Sequence, residues 1–385
     1  YKIEFESMKN KLFDLENFRT RYIKEYLDKK DYIKYSKKLL EKCKYLGLMS
    51  FSKQARNAFI SKKILTSFIE IGALSKSSYY KILSHLKTVS HDYISDQKKL
   101  KLKKINKSDF EKKYFHLRPN TYDILNKRYN EKIMVNKISD QELEKILSFN
   151  TKNIEKLLTD KEFSALSKIL NKEKIKIDVK DLLNFCIASL KLRENYKFIF
   201  SRSLSDGIQL LRNYSLKMGV TEQFSNVDLK TIFKIRKKSD LTVLKHRFFT
   251  YKKQSEYFNF VKLPYLIVSN NDFFVSSILL SKPNFITDRN ISGNLIFLDG
   301  KSKKKSLKNM IVVIENADPG FDWIFSHKIK GLITKFGGIN SHMSIRCEEL
   351  NVPAIIGFGE DNYSKIINKK ELNINCKLQK ISFGE

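Results

Sequence analysis

Glycine and proline are spread so unevenly along this chain that they limit where each kind of secondary structure can form. Of 13 glycines only Gly47, Gly72, Gly207 and Gly219 precede residue 290, and of five prolines only Pro119 precedes residue 260. In a helix interior glycine costs about 1 kcal/mol relative to alanine and proline about 3 kcal/mol. The first two thirds, nearly free of both, is therefore predicted to be helix-rich. The last third is predicted to be turn-rich with short strands. The boundary is expected at residues 262–266, where Pro264 interrupts the pattern, giving a helical region 1–263 and a second region 264–385.

Periodicity gives the elements. Phe5, Met8, Leu12, Leu15, Phe18 and Tyr22 recur at three- and four-residue steps, so the chain opens on an amphipathic helix. Further helices are predicted over 53–71, ending at Gly72 as a C′ residue, over 78–95, and over 180–218. Ser139 with Glu142, and Thr159 with Glu162, have capping-box spacing ahead of apolar runs. Beyond the boundary, 294–298, 310–315, 332–334, 353–356 and 372–375 read as strands, with a short helix over 321–327 after the turn Asp318-Pro319-Gly320. Strands alternating with short helices make a compact α/β unit, so the fold class is α plus α/β.

The densest chemistry lies in that unit, between Gly331 and Gly359. A strand ends at Thr334, Gly337 and Gly338 form a turn, and a helix runs from Asn340 to Leu350, which puts His342 in its first turn. Paired glycines let the backbone approach an anion closely, and a helix start offers unpaired N–H groups and a positive dipole end. A phosphoryl group on the imidazole would be held there. Ser341, Ser344 and Thr334 offer hydroxyl donors, and Arg346, one turn beyond His342, offers a charged fork towards the same face. Met343, Cys347 and Leu350 are expected to face the sheet, leaving the histidine edge free.

The run Thr334-Lys-Phe-Gly-Gly-Ile-Asn-Ser-His342-Met-Ser-Ile-Arg346, followed by Val352-Pro-Ala-Ile-Ile-Gly357, resembles the phosphohistidine motif of the swivelling domain in phosphoenolpyruvate-utilising enzymes. The resemblance implies a large helical substrate domain followed by a small C-terminal α/β swivelling phosphohistidine domain. In that family the histidine accepts a phosphoryl group at one active site and the domain carries it to another. The order of the two regions is similar to that of the rifampicin-phosphotransferase-like branch, in which an ATP-grasp domain comes first. The chain is therefore expected to be a fragment whose ATP and Mg2+ are bound mainly by an upstream ATP-grasp domain of the same polypeptide. Within the branch, the helical motifs and lysine-rich composition resemble most the members that phosphorylate the side-chain amide of L-glutamine for capsular phosphoramidate modification. The implied reaction is of dikinase type: ATP pyrophosphorylates His342, phosphate and AMP leave, and the amide nitrogen attacks. An amide nitrogen is a weak nucleophile, so the site should exclude water and supply a base. A drug or other small-molecule phosphotransferase, and a phosphoenolpyruvate synthase-like enzyme, are the alternative readings. The segment Glu315 to Trp323 also resembles one that precedes the histidine strand in this branch; its acids could order the loops near His342, or form only a turn and a cap.

In the helical part the stretch His116-Leu-Arg118-Pro119-Asn120-Thr-Tyr122-Asp123 gathers an imidazole, a guanidinium, a phenol and a carboxylate around a helix-stopping proline. Arg118 could bind an acceptor's carboxylate and Asp123 its ammonium; an ion-paired helix junction is the plainer reading. The stretch is similar to a His-Leu-Arg-Pro-Gly-Thr-Tyr-Asp motif of the same branch, with Asn120 in place of glycine. Arg56 beside Asn57, and Glu194, Phe198 and Arg202 at steps of four, are further candidates for lining a polar pocket. His116, Asp123 and Glu194 are the candidate general bases.

Composition excludes some classes. A net charge of +32 invites a nucleic-acid partner, yet the excess is nearly all lysine and scattered apart from clusters at 98–107 and 301–308, which reads as solvated surface. A lysine-rich nucleic-acid-binding protein is the alternative from another class; the expected partner is a small molecule, with no nucleic acid and no membrane. Four isolated cysteines have neither metal nor redox spacing, which fits buried thiols in a reducing cytoplasm. His85, His91, His246 and His327 lack partner spacing, so no metal site is expected.

Overall fold

The structure is a computed structural model that describes residues 1–84, 86, 89–118, 123–149, 154–237, 239–258, 268–273, 282–298, 306–339 and 341–383. The expected boundary at 262–266, Pro119 to Tyr122, His85, Asn340 and Lys301 to Lys305 lie outside the described residues.

In chain order the helices are α1 (Lys2–Lys29), α2 (Tyr32–Lys42), α3 (Met49–Glu70), α4 (Lys76–Ser84), α5 (Val89–Lys101), α6 (Lys107–Tyr114), α7 (Asp140–Leu147), α8 (Asp160–Lys172), α9 (Val179–Met218), α10 (Thr221–Asn226), α11 (Leu229–Ile232) and α12 (Asp240–Phe258). Then follow β1 (Asn284–Ile286), β2 (Asn290–Leu298), β3 (Ile311–Asn316), a 3₁₀ helix (Pro319–His327), β4 (Gly331–Phe336), α13 (His342–Glu349), β5 (Ala354–Ile356), α14 (Glu360–Ile366), β6 (Glu371–Asn375) and β7 (Lys380–Phe383). A mostly helical region thus precedes an α/β region, as glycine and proline placement implies. By contacts the chain divides into one unit of residues 1–31, 35–117 and 128–209 and a second of 32–34, 118–127 and 210–385.

In the first unit, α1 buries Phe5, Met8, Leu12, Leu15 and Ile23 along the predicted stripe. α3 ends at Ile71 with Gly72 at φ +73°, the left-handed conformation a C′ glycine supplies. Thr159 and Glu162 form a complete capping box on α8. Leu65, Ile82, Leu166, Leu170, Leu183 and Ile187 close one apolar core between α3, α4, α8 and α9. The single helix expected over 78–95 is instead the two helices α4 and α5. The Asn195 carboxamide accepts from the Val89 N–H at 3.3 Å, a tertiary bond that starts α5 and is invisible to local periodicity.

The same unit buries a charge network. Arg19 bonds Glu16 and Asp206, both at 2.8 Å, Arg128 bonds Asp206 at 2.6 Å, and Arg202 bonds Glu16 at 3.3 Å. The three guanidiniums surround the Phe115 ring at 4.9 to 5.7 Å. Burial opposes charge on Glu16, but Arg19 and Arg202 outweigh it and hold its carboxyl at about 2.

In the second unit the sheet has the order β1-β5-β4-β3-β2-β6-β7. β2 to β5 run parallel to one another, and β1 on β5, β6 on β2 and β7 on β6 pair antiparallel. Ile311 to Ile314 and Gly331 to Thr334 are buried at every position, the run expected of a central parallel strand covered on both faces. Ile311, Val313, Ile333, Ile355 and Leu372 pack beneath Ile366 of α14. α13 is the crossover that joins β4 to its parallel neighbour β5, so its first turn opens at the carboxyl end of β4.

Candidate functional site

The turn between β4 and α13 is set by two glycines. Gly337 has φ +138°, and a Cβ there would meet the Ala317 Cβ at 2.6 Å. Gly357, after β5, has φ +69°, and a Cβ there would press within 2.3 Å of the Gly337 carbonyl oxygen. The two loops therefore touch through backbone, as only glycine allows. Around Gly338 no atom of the described residues approaches the Cβ position within 4 Å. The fully buried Thr334 hydroxyl, expected to donate to an anion, accepts from the Gly357 N–H at 3.0 Å and ties the two loops together.

Ser341 is the N-cap of α13, its hydroxyl accepting from the Ser344 N–H at 3.3 Å. This makes His342 the first helical residue, where the N–H groups of the opening turn lack intrahelical acceptors. The expectation of a free histidine edge is overturned: His342 is 6% exposed and its Nε2 lies 2.7 Å from Oδ1 of Asp322, on the 3₁₀ helix. Met343 and Cys347 are fully buried, but Leu350 is the C-cap and stands 39% exposed, because the helix ends before its turn reaches the sheet. Burial pushes the Cys347 thiol up although Arg346 pulls it down, so this cysteine stays an apolar filler.

Arg346 is 3% exposed. Its Nη1 donates to Glu349 and its guanidinium lies 6.0 Å from the Phe325 ring, while Nε and Nη2 are buried with no partner among the described residues. The buried Ser344 hydroxyl is likewise without a partner. A buried guanidinium with idle N–H donors is costly unless an anion completes it. Two side chains on the histidine helix thus carry unused donor capacity. Both lie on the helix that starts at His342, whose first turn leaves backbone N–H groups without intrahelical acceptors.

The candidates of the helical part separate. In the first unit the His116 ring packs edge-on to Phe198 at 4.7 Å, and its carbonyl accepts from Ser205. Glu194 pairs with Arg193 at 3.7 Å, whereas Arg202 is sunk in the Glu16 network. Arg56 is exposed on α3, which begins earlier than expected, at Met49. In the second unit Arg118, 1% exposed, donates to the carbonyls of Asp123 and Asn126, and the Asp123 carboxylate accepts from Leu125 N–H and the Asn126 amide. Both make these bonds within their own loop. Tyr122 is outside the described residues. No three His, Cys, Asp or Glu side chains among the described residues gather as a metal site.

Asp322 was not singled out by sequence reasoning beyond the suggestion that nearby acids order the loops. The signal was present: a lone carboxylate on a short helix whose Phe321, Ile324 and Phe325 are buried. Asp318, by contrast, caps that helix by accepting from the Gly320 N–H.

Residues 307–377 match the family described as PEP-utilising enzyme, mobile domain. The match spans β3 to β6 and includes His342, and it supports phosphoryl transfer through a phosphohistidine. No curated protein shows significant similarity to the chain.

Proposed function

We propose that this chain belongs to an ATP-dependent phosphotransferase in which His342 carries the phosphoryl group and L-glutamine, through its side-chain amide nitrogen, receives it. The observation that carries the reading is the pairing of His342 at the start of α13 with the unpartnered donors of Arg346 and Ser344. The imidazole supplies the nucleophile, and the guanidinium, hydroxyl and helix start hold the dianion without satisfying one another first. ATP and Mg2+ are assigned to an ATP-grasp domain of the same polypeptide. Acceptor binding is assigned to the helical region 1–263, and carriage to the region 264–385. His116 and Glu194 are the remaining candidates for the base, since the Asp123 carboxylate is committed to its loop. Rapid swivelling transfer away from water fits a phosphohistidine, whose P–N bond is prone to hydrolysis.

The reading is tested by phosphorus NMR of the chain joined to an ATP-grasp domain, with ATP and Mg2+ and either L-glutamine or rifampicin. A phosphoramidate resonance that requires both glutamine and His342 is expected. Release of AMP and phosphate with neither acceptor modified would remove glutamine from the account while leaving the carrier histidine in place.

A further inference from the structure

The contact between Asp322 and His342 bears on how the carrier is loaded. A carboxylate 2.7 Å from Nε2 is joined to it by a proton, so the neutral imidazole keeps its Nε2–H pointed at Oδ1. In that state the in-plane lone pair of Nε2 is occupied by the proton, and the line along which a phosphorus atom would approach Nε2 is occupied by the carboxylate. Nε2 is the ring nitrogen farther from the backbone, and at a residue only 6% exposed it is the one that can present a group for transfer. Resting on the carrier reading above, we propose that Asp322 is a latch on His342: it holds the Nε2 proton, keeps that nitrogen from accepting a phosphoryl group, and yields its place to the phosphoryl when the imidazole is loaded.

The surroundings allow such an exchange. β1 and β5, which pack on α13, carry no titratable side chain over Asn284–Ile286 or Ala354–Ile356. The 3₁₀ helix packed on α13 brings Asp322, with Asp318 at its cap and His327 at its end, and α13 itself brings Arg346, Cys347, Glu348 and Glu349. Asp318 is engaged at the cap and one nitrogen of Arg346 is engaged by Glu349, so among the described residues Asp322 is an anion placed on the imidazole and the rest of Arg346 is a cation in reserve. On loading, the N–P bond forms at Nε2 as the donor's bond to phosphorus breaks, and the departing group leaves with that electron pair. With phosphoramidate as donor the Nε2 proton ends on the departing ammonia. The phosphoryl charge then falls to Arg346 and Ser344, and Asp322, now facing a like charge, is driven off. Asp322 is a positioning residue, since it acts through the imidazole.

The test uses the 385-residue chain and phosphoramidate, which needs no ATP domain. Labelling of His342 is followed by phosphorus NMR at about pH 7 and pH 9, the latter well above the ordinary imidazole pKa of about 6.5. Asp322→Ala is expected to load roughly tenfold faster or more at both values, because a charge-assisted hydrogen bond no longer has to be broken. Asp322→Asn, which keeps the shape and a weaker acceptor, should lie between, and it carries the test should the alanine variant fail to fold. Nitrogen-15 shifts of the wild-type ring should show the proton on Nε2, a preference lost in Asp322→Ala. A gain seen at pH 7 but absent at pH 9 would mean that Asp322 acts through charge alone and would overturn the latch, as would a variant that loads no faster than wild type. If His342 takes up no label in any of the proteins, the carrier reading falls and the latch with it.

Discussion

In the proposed phosphoryl site, Arg346 is the residue assigned to meet the anion's charge. Its Nε and Nη2 are buried without a partner among the described residues, a desolvation cost that an arriving anion would relieve. Arg346→Gln keeps a polar chain of similar length but removes the charge, so the phosphoenzyme should lose roughly tenfold in lifetime or occupancy. Phosphorus NMR of the labelled chain over time measures this, and an unchanged lifetime would assign Arg346 to the Glu349 contact alone. Much of this was readable in advance. Ser341, His342 and Arg346 lie within one helix start, and local spacing orders them. Asp322 lies 20 positions away, on an element whose packing against α13 is decided by burial of Phe321, Ile324 and Phe325. No short-range pattern reports that meeting.

At the scale of elements, the carboxyl edge of the parallel strands is shaped by backbone contact between two loops. Gly337→Ala should strain a positive φ and drive a methyl into Ala317, at a cost of about 1–3 kcal/mol for the conformation alone. Urea unfolding of the variant should show it, with a larger loss than Gly338→Ala, where nothing occupies the Cβ position. Equal losses would contradict the loop geometry. Strong local signals were legible at this scale: Gly72 ends α3, and Thr159 with Glu162 starts α8. β1, β7 and α14, of three, four and seven residues, were not read from the sequence. The Val89 N–H at the start of α5 is bonded by Asn195, more than a hundred residues away, a contact beyond any reading of neighbours.

Across the whole molecule, the helical region is anchored by buried charge and the α/β region by parallel strands. Glu16 is held at about 2, well below its ordinary 4.5, so the unfolded chain binds a proton that the folded chain refuses. Its contribution is therefore fully present above about pH 4.5 and is lost as pH falls through 2. Thermal unfolding followed by circular dichroism should show Tm dropping across that window. Glu16→Gln should flatten the drop while lowering stability by roughly 3–5 kcal/mol at neutral pH, since it takes the carboxylate from Arg202 and leaves Arg19 with Asp206 alone. A Tm indifferent to acid would contradict the network. Among the described residues no helix is long and apolar enough to cross a membrane. The family match, the helix start and the idle donors converge on one claim, that His342 carries a phosphoryl group. The most direct measurement is to treat the chain with phosphoramidate and map the label by phosphorus NMR and mass spectrometry of proteolytic fragments. The account predicts one acid-labile, base-stable phosphate on the peptide containing His342, absent from His342→Ala. Label elsewhere, or label that persists in His342→Ala, would contradict it.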